Sequence, residues 1–174
     1  LAQHSDELQA AVYENSQNMI DRNREVLFYD CTNYFFEIEE GRGDAQYGKS
    51  KEHRPNPIVQ MGLFLDGDGF PLCFSMFPGN QNEQPTLKPL EKKILRDFNL
   101  SEFIVCTDAG LASTENRKFN AISGRAFIVT QSLKMLKSFL REWALDFDGW
   151  HLNGSNQVYN INQIDEHVHR NSIF

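Results

Sequence analysis

Two aspartates stand inside apolar runs of this chain: Asp30 interrupts EVLFYDCTNYFF, and Asp108 closes FIVCTDAG. A carboxylate within or at the end of a buried strand loses hydration unless a cation or a set of donors compensates it. Sites of sheet proteins gather at strand ends, so two such carboxylates on neighbouring strands could hold a divalent metal. Taken singly, each also fits a satisfied strand-end or helix-cap aspartate. The elements that carry them decide between the two.

Residues 5 to 22 have the pattern of a helix. Ser5 can cap it, Asp6 and Glu7 suit its first turn, and Leu8, Ala11, Val12, Met19 and Ile20 form an apolar face. The aromatic-rich run from 26 to 38 predicts a long strand. The polar, Gly- and Pro-containing stretch 41–57 is a loop. PIVQMGLFLD and FPLCFSMFPG, joined through Gly67-Asp68-Gly69, predict a hairpin. Pro85 suits the first turn of a helix carried by Leu87, Leu90, Ile94, Leu95 and Phe98. FIVC is a continuous apolar run, the mark of a strand buried on both faces. A helix over 113–122 begun by Ser113, the strand RAFIVT and a helix over 132–145 carried by Leu133, Leu136, Leu140 and Trp143 follow. Beyond Asp146 the sequence is polar and Asn-rich, without a readable pattern. Three strands followed by helix–strand alternation imply an α/β protein: a mixed sheet with helices on both faces.

Composition bounds the function. The 174 residues suit one globular domain, with 40 % apolar residues and 14 Phe. The net charge of −7 lacks the usual basic footprint of a nucleic-acid binder, although it permits a local basic stripe, and an acidic metal site adds to it. Cys31, Cys73 and Cys106 lie in strand-like runs without a C-x-x-C pair, as expected of reduced core thiols in a cytosolic protein. No apolar stretch approaches about 18 residues and the amino end is polar, so a soluble, cytoplasmic chain with no membrane partner is expected. It starts without Met and stops on NSIF, as a piece of a longer protein would.

Several motifs fail on their context. GDAQYGKS, residues 43 to 50, matches the phosphate-loop pattern, yet EIEEGR precedes it and Pro55 and Pro57 stop any helix after it. A phosphate there would meet no helix N-terminus. DGDG at 66–69 would need a Glu where Phe77 stands and a Gly where Pro71 stands to be a calcium loop, so it is a turn. Asp30-Cys31-Thr32 lacks the second acid of a phosphatase motif, and His167 with His169 has no third ligand nearby. What remains is Asp30, Asp108 and the basic loop of Lys49, Lys51, His53 and Arg54.

Four blocks now join up. YDCTNYFFE, YGKSKEHRPNP, GLFLDGDGFPLCFSMFPGNQNEQPTL and IVCTDAGLASTEN resemble, in this order, the core of DDE transposases from bacterial insertion sequences, in the branch with a Tyr-Arg-Glu-Lys signature. The resemblance covers residues 25–145 and implies a ribonuclease H-like fold, in which the first and fourth strands lie side by side. On it, 1–24 is an N-terminal helix, 25–145 an incomplete catalytic core, and 146–174 the start of an insertion or a polar tail. It further implies two Mg²⁺ or Mn²⁺ ions held by three carboxylates, which cut and join double-stranded DNA at transposon ends. Asp30 matches the first acid and Asp108 the second. The third, a Glu, belongs to a helix carrying Y-(2)-R-(3)-E-(6)-K; Tyr159 and Glu166 have the right separation, but Asn162 and Ile173 replace the Arg and the Lys. The third acid is therefore expected beyond Phe174, which leaves this fragment alone inactive. Lys49, Lys51 and Arg54 are the expected DNA phosphate contacts, and a homodimer on paired ends is expected. The alternatives are an inactive transposase remnant and a non-catalytic interaction module on the same fold.

Overall fold

Side-chain alternation sets the first strand, β1 (Val26–Phe35). Leu27, Tyr29 and Cys31 are buried, whereas Phe28, Asp30 and Thr32 are exposed, the period of two that a strand with one covered face requires. The computed structural model describes residues 2–151 and 156–163. β1 stops at Phe35, short of the predicted 38, because its partner strand begins at Ile58. The next partner residue, Pro57, accepts from Phe36 N (2.9 Å) but has no N–H to return.

β2 (Ile58–Asp66) pairs antiparallel with β1, and β3 (Pro71–Pro78) antiparallel with β2. The turn between β2 and β3 uses Gly69 at φ 85°, a conformation favourable to glycine. β4 (Ile104–Thr107) and β5 (Ala126–Val129) add in parallel on the other side of β1. The sheet order is β3-β2-β1-β4-β5. This is a mixed α/β sheet with the order and strand directions of the ribonuclease H-like fold.

Three helices cover one face: α1 (Ser5–Ser16), α2 (Leu87–Asp97) and α3 (Thr114–Asn120). Tyr13, Leu90, Ile94 and Phe98 meet Leu27, Phe64 and Val105 in a single apolar cluster beneath it. Ser113 caps α3 through its side chain, accepting from Asn116 N (3.1 Å), as its sequence position predicts. At the head of β5, Arg125 meets the buried Glu91 of α2 at 3.1 Å. Among the described elements of this unit no helix lies on the opposite face. For that reason Ile104 and Cys106 are only half-buried, and β4 is not the doubly covered strand its sequence suggests.

α1 differs from its prediction. It ends at Ser16, where the hydroxyl turns back to Tyr13 O (2.6 Å), a local bond that competes with the helix ladder. The expected apolar face is exposed, Val12 at 69 % and Met19 at 84 %, and Tyr13 supplies the buried contact. Ser5 accepts from Gln9 Nε2 (2.9 Å) and does not cap.

The DGDG turn is held by a buried ion pair. Asp66 is fully buried and its Oδ2 accepts from Arg22 Nε at 2.5 Å, while Oδ1 accepts from Asp68 N (3.1 Å) and Phe70 N (2.8 Å). Arg22 also donates to Ser16 Oγ, Phe70 O and Pro71 O. The end of α1 is thereby tied to the hairpin.

The chain divides into two compact units, Leu1–Gln131 and Ser132–Phe174. In the second, the predicted 132–145 helix is split: a 3-10 turn at Leu133–Met135 is followed by extended backbone at Leu136 and Lys137, then by α4 (Ser138–Leu145). Leu133 and Trp143 are exposed. Among the described residues no helix is long and apolar enough to cross a membrane.

Candidate functional site

The register of two neighbouring strands places the two aspartates. β1 and β4 pair as Val26↔Ile104, Leu27↔Val105 and Phe28↔Cys106. Asp30 and Asp108 each follow that last pair by two residues. A step of two returns a side chain to the same face, so both aspartates come out on the uncovered face, Asp30 midway along β1 and Asp108 just past the carboxyl end of the neighbouring parallel strand β4. They line one open hollow of about 620 Å³, together with Phe28, Cys106, Ile128 and Thr130.

Neither carboxylate is buried, contrary to what the apolar runs suggest. Asp30 is 76 % exposed in its side chain, and Asp108 is exposed as well. The apolar neighbours in sequence point through the sheet to the helices, while the aspartates point away from them. Asp30 Oδ1 accepts from Cys31 N (2.7 Å) and lies 3.7 Å from Lys51 Nζ. Asp108 caps the short 3-10 turn Ala109–Leu111, its Oδ1 accepting from Leu111 N at 3.2 Å. Gly110 leaves room for this: a Cβ there would stand 3.3 Å from Asp108 Oδ1.

The opposite side of β1 is fastened beneath Asp30. Tyr29 OH and Thr86 Oγ1 are 2.6 Å apart, Cys31 Sγ lies 3.4 Å and 3.3 Å from them, and Thr86 donates to Glu83 O at 2.5 Å. Burial pushes both the Tyr29 hydroxyl and the Cys31 thiol up, which keeps them neutral. A Cβ at Gly62 would collide with Tyr29 OH. This network joins β1 to the start of α2. In the sequence Thr86 reads only as a helix start, and the one available signal was the glycine inside β2. Cys106, expected as a core thiol, instead lines the hollow half-buried; burial raises its thiol too.

The basic loop reaches the site through one residue. Lys51 Nζ donates to Cys31 O and stands beside Asp30. Asn33 clasps the loop, accepting from Lys51 N (3.3 Å) and donating to Lys49 O (3.5 Å). Arg54 is held over the Phe35 ring at 4.2 Å and pairs with Glu52 at 3.0 Å; Lys49 is exposed. No helix follows Ser50, in keeping with the rejection of the phosphate-loop pattern. Its second glycine has a packing role, because a Cβ at Gly48 would run into Gly79 O.

Two exposed carboxylates suit a hard cation, which accepts one or two carboxylates and fills its remaining positions with water and phosphate oxygens. Among the described residues no group of three or more His, Cys, Asp or Glu could hold a metal, so a two-metal centre needs donors from outside them. Tyr159 forms an isolated bridge with Trp150, ahead of a 3-10 turn at Ile161–Gln163. Glu166, His167, His169 and Ile173 lie outside the described residues.

No protein-family model matches the chain, and no curated protein matches its sequence. Solved structures do. The chain is similar to a piggyBac transposase synaptic complex with hairpin DNA, with 14% identity and a TM-score of 0.45, over 67% of this chain and 27% of that one. It is also similar to the Mos1 transposase paired-end complex with the left transposon end, with 14% identity and a TM-score of 0.41, over 72% and 40%. A third likeness is to a simian T-cell lymphotropic virus intasome, with 14% identity and a TM-score of 0.38, over 77% and 51%. The chain thus spans about a quarter to a half of the length of these structures.

Proposed function

We propose that this chain is the catalytic core of a DNA transposase of the bacterial insertion-sequence type, acting in the cytoplasm with Mg²⁺ or Mn²⁺ on double-stranded transposon ends. One observation carries the reading. Asp30 and Asp108 follow the same strand pair by the same two residues and line one hollow, with Lys51 beside Asp30. The four ordered sequence blocks support the same chemistry.

In this reading Asp30 and Asp108 hold the metal, and a third acid joins them from outside the described residues. A bound ion supplies Lewis-acid polarisation of a phosphoryl oxygen and a stronger nucleophile at neutral pH. The chain's own residues do the remaining work. The two carboxylates concentrate divalent cations between the middle of β1 and the end of β4. Lys49, Lys51 and Arg54 attract the phosphate backbone and set its position, without reading its sequence. Phe28 and Ile128, exposed at 44 % and 60 %, give the hollow apolar walls, which strengthen any charge interaction formed beside them. A second copy of the protein serves the paired transposon end.

An inactive remnant is favoured by one observation, the presence of only two carboxylates in the hollow among the described residues. Metal removal separates the readings. The full-length protein is expected to nick or cut duplex DNA carrying its transposon ends in Mg²⁺, and to stop when EDTA is added. Cutting that continues in EDTA contradicts the metal-dependent reading, and absence of cutting in either Mg²⁺ or Mn²⁺ favours the remnant.

A further inference from the structure

Lys51 is placed with more care than a solvated loop lysine. Its own amide donates to Asn33 Oδ1 at 3.3 Å, and Asn33 Nδ2 returns a bond to Lys49 O at 3.5 Å, so β1 grips the loop on both sides of Ser50. Ser50 is itself buried, and its hydroxyl accepts from Arg54 N at 3.2 Å. Just upstream, Gly48 lies against the Gly79 backbone too closely for any side chain. The lysine side chain then runs to the strand, donates to Cys31 O and leaves its ammonium 3.7 Å from Asp30 Oδ1. An ammonium therefore stands beside this carboxylate before any metal arrives.

An ammonium and a divalent cation cannot both sit against one carboxylate without repelling each other. We propose that Lys51 is the resident counter-cation of Asp30, which a divalent ion must displace, so that Lys51 holds down metal affinity until the site is loaded. This rests on Asp30 and Asp108 being a cation site. Once displaced, the ammonium is free to meet a phosphate, which couples metal loading to capture of the DNA backbone. Both side chains are solvated, Lys51 at 46 % and Asp30 at 76 %, so the effect is moderate.

The test is calorimetric titration of Mn²⁺ into this chain without DNA. Lys51→Met is expected to bind Mn²⁺ about two- to fivefold more tightly than the unaltered chain. Lys51→Gln, which keeps a donor for Cys31 O but carries no charge, is expected to show the same gain, and Lys51→Arg none. Asp30→Asn serves as the reference for a lost site. If the unaltered chain binds Mn²⁺ more tightly than Asp30→Asn does, but neither neutral variant improves on it, the counter-cation role is wrong while the metal site stands. If the unaltered chain and both neutral variants bind no better than Asp30→Asn, the metal site and the role of Lys51 fall together.

Discussion

Changing Asp30 or Asp108 to asparagine is expected to lower strand cleavage by the full-length protein about a thousandfold or more, with the fold unchanged. A metal contributes several kcal/mol of charge stabilisation at a phosphoryl centre, and about 4 kcal/mol corresponds to a thousandfold in rate. An amide keeps the shape of the carboxylate but not its charge, so it removes the cation and little else. The structural cost is small for reasons specific to each site. Asp30 loses an exposed pair with Lys51 at 3.7 Å, a kind of interaction worth about 0–1 kcal/mol. Asp108 caps Leu111 N through an oxygen that asparagine also supplies. Full cleavage by either variant, measured beside an unchanged unfolding transition, would remove the substituted residue from the metal set.

Arg22→Ala has the opposite signature: about 3–5 kcal/mol of lost stability, from stranding a carboxylate in the core. Asp66 is fully buried and takes the Arg22 Nε bond at 2.5 Å. The same guanidinium bridges Ser16, Phe70 and Pro71. Without it, Asp66 retains, among the described residues, the backbone donors of Asp68 and Phe70, and the end of α1 comes loose from the β2–β3 turn. A loss of that size is a large share of the roughly 5–15 kcal/mol that holds a typical domain together. Urea unfolding followed by circular dichroism measures it, and a loss below about 1 kcal/mol would contradict the structural role given to the pair.

Sequence alone overstates the burial of Asp30 and Asp108. Asp30, Asp66 and Asp108 all stand in or at the end of apolar runs, and such runs cannot say which side of the sheet a residue faces. Asp66 is the buried carboxylate that the patterns describe, and its partner Arg22 lies 44 positions away, beyond any local signal. Asp30 and Asp108 escape burial because alternation turns them away from α1 and α2. The sheet itself was legible. The Asp-Gly turn marked the hairpin, Ser113 marked α3, and the order of the apolar runs is the order of the strands.

Other features depend on long-range contacts and left little trace. Tyr13, not the Leu8 and Val12 pattern, anchors α1 because it reaches Phe98 across the cluster. The Tyr29–Cys31–Thr86 network needs α2 to arrive beside β1 before its hydroxyls can meet. Lys51 and Arg54 share one loop and one charge, yet Phe35 and Glu52 hold Arg54 while Lys51 reaches Asp30. Spacing within a loop carries no information of that kind.

The central claim is that Asp30 and Asp108 act on one cation. Titrating Mn²⁺ into isotope-labelled protein and following the broadening of its amide resonances tests this most directly, since the paramagnetic ion broadens signals near the position it occupies. Residues around Asp30 midway along β1 and around Asp108 at the end of β4 are predicted to broaden together at one Mn²⁺ concentration, and Asp30→Asn is predicted to abolish both effects. Broadening around only one aspartate, or around both with separate midpoints, would contradict a shared site.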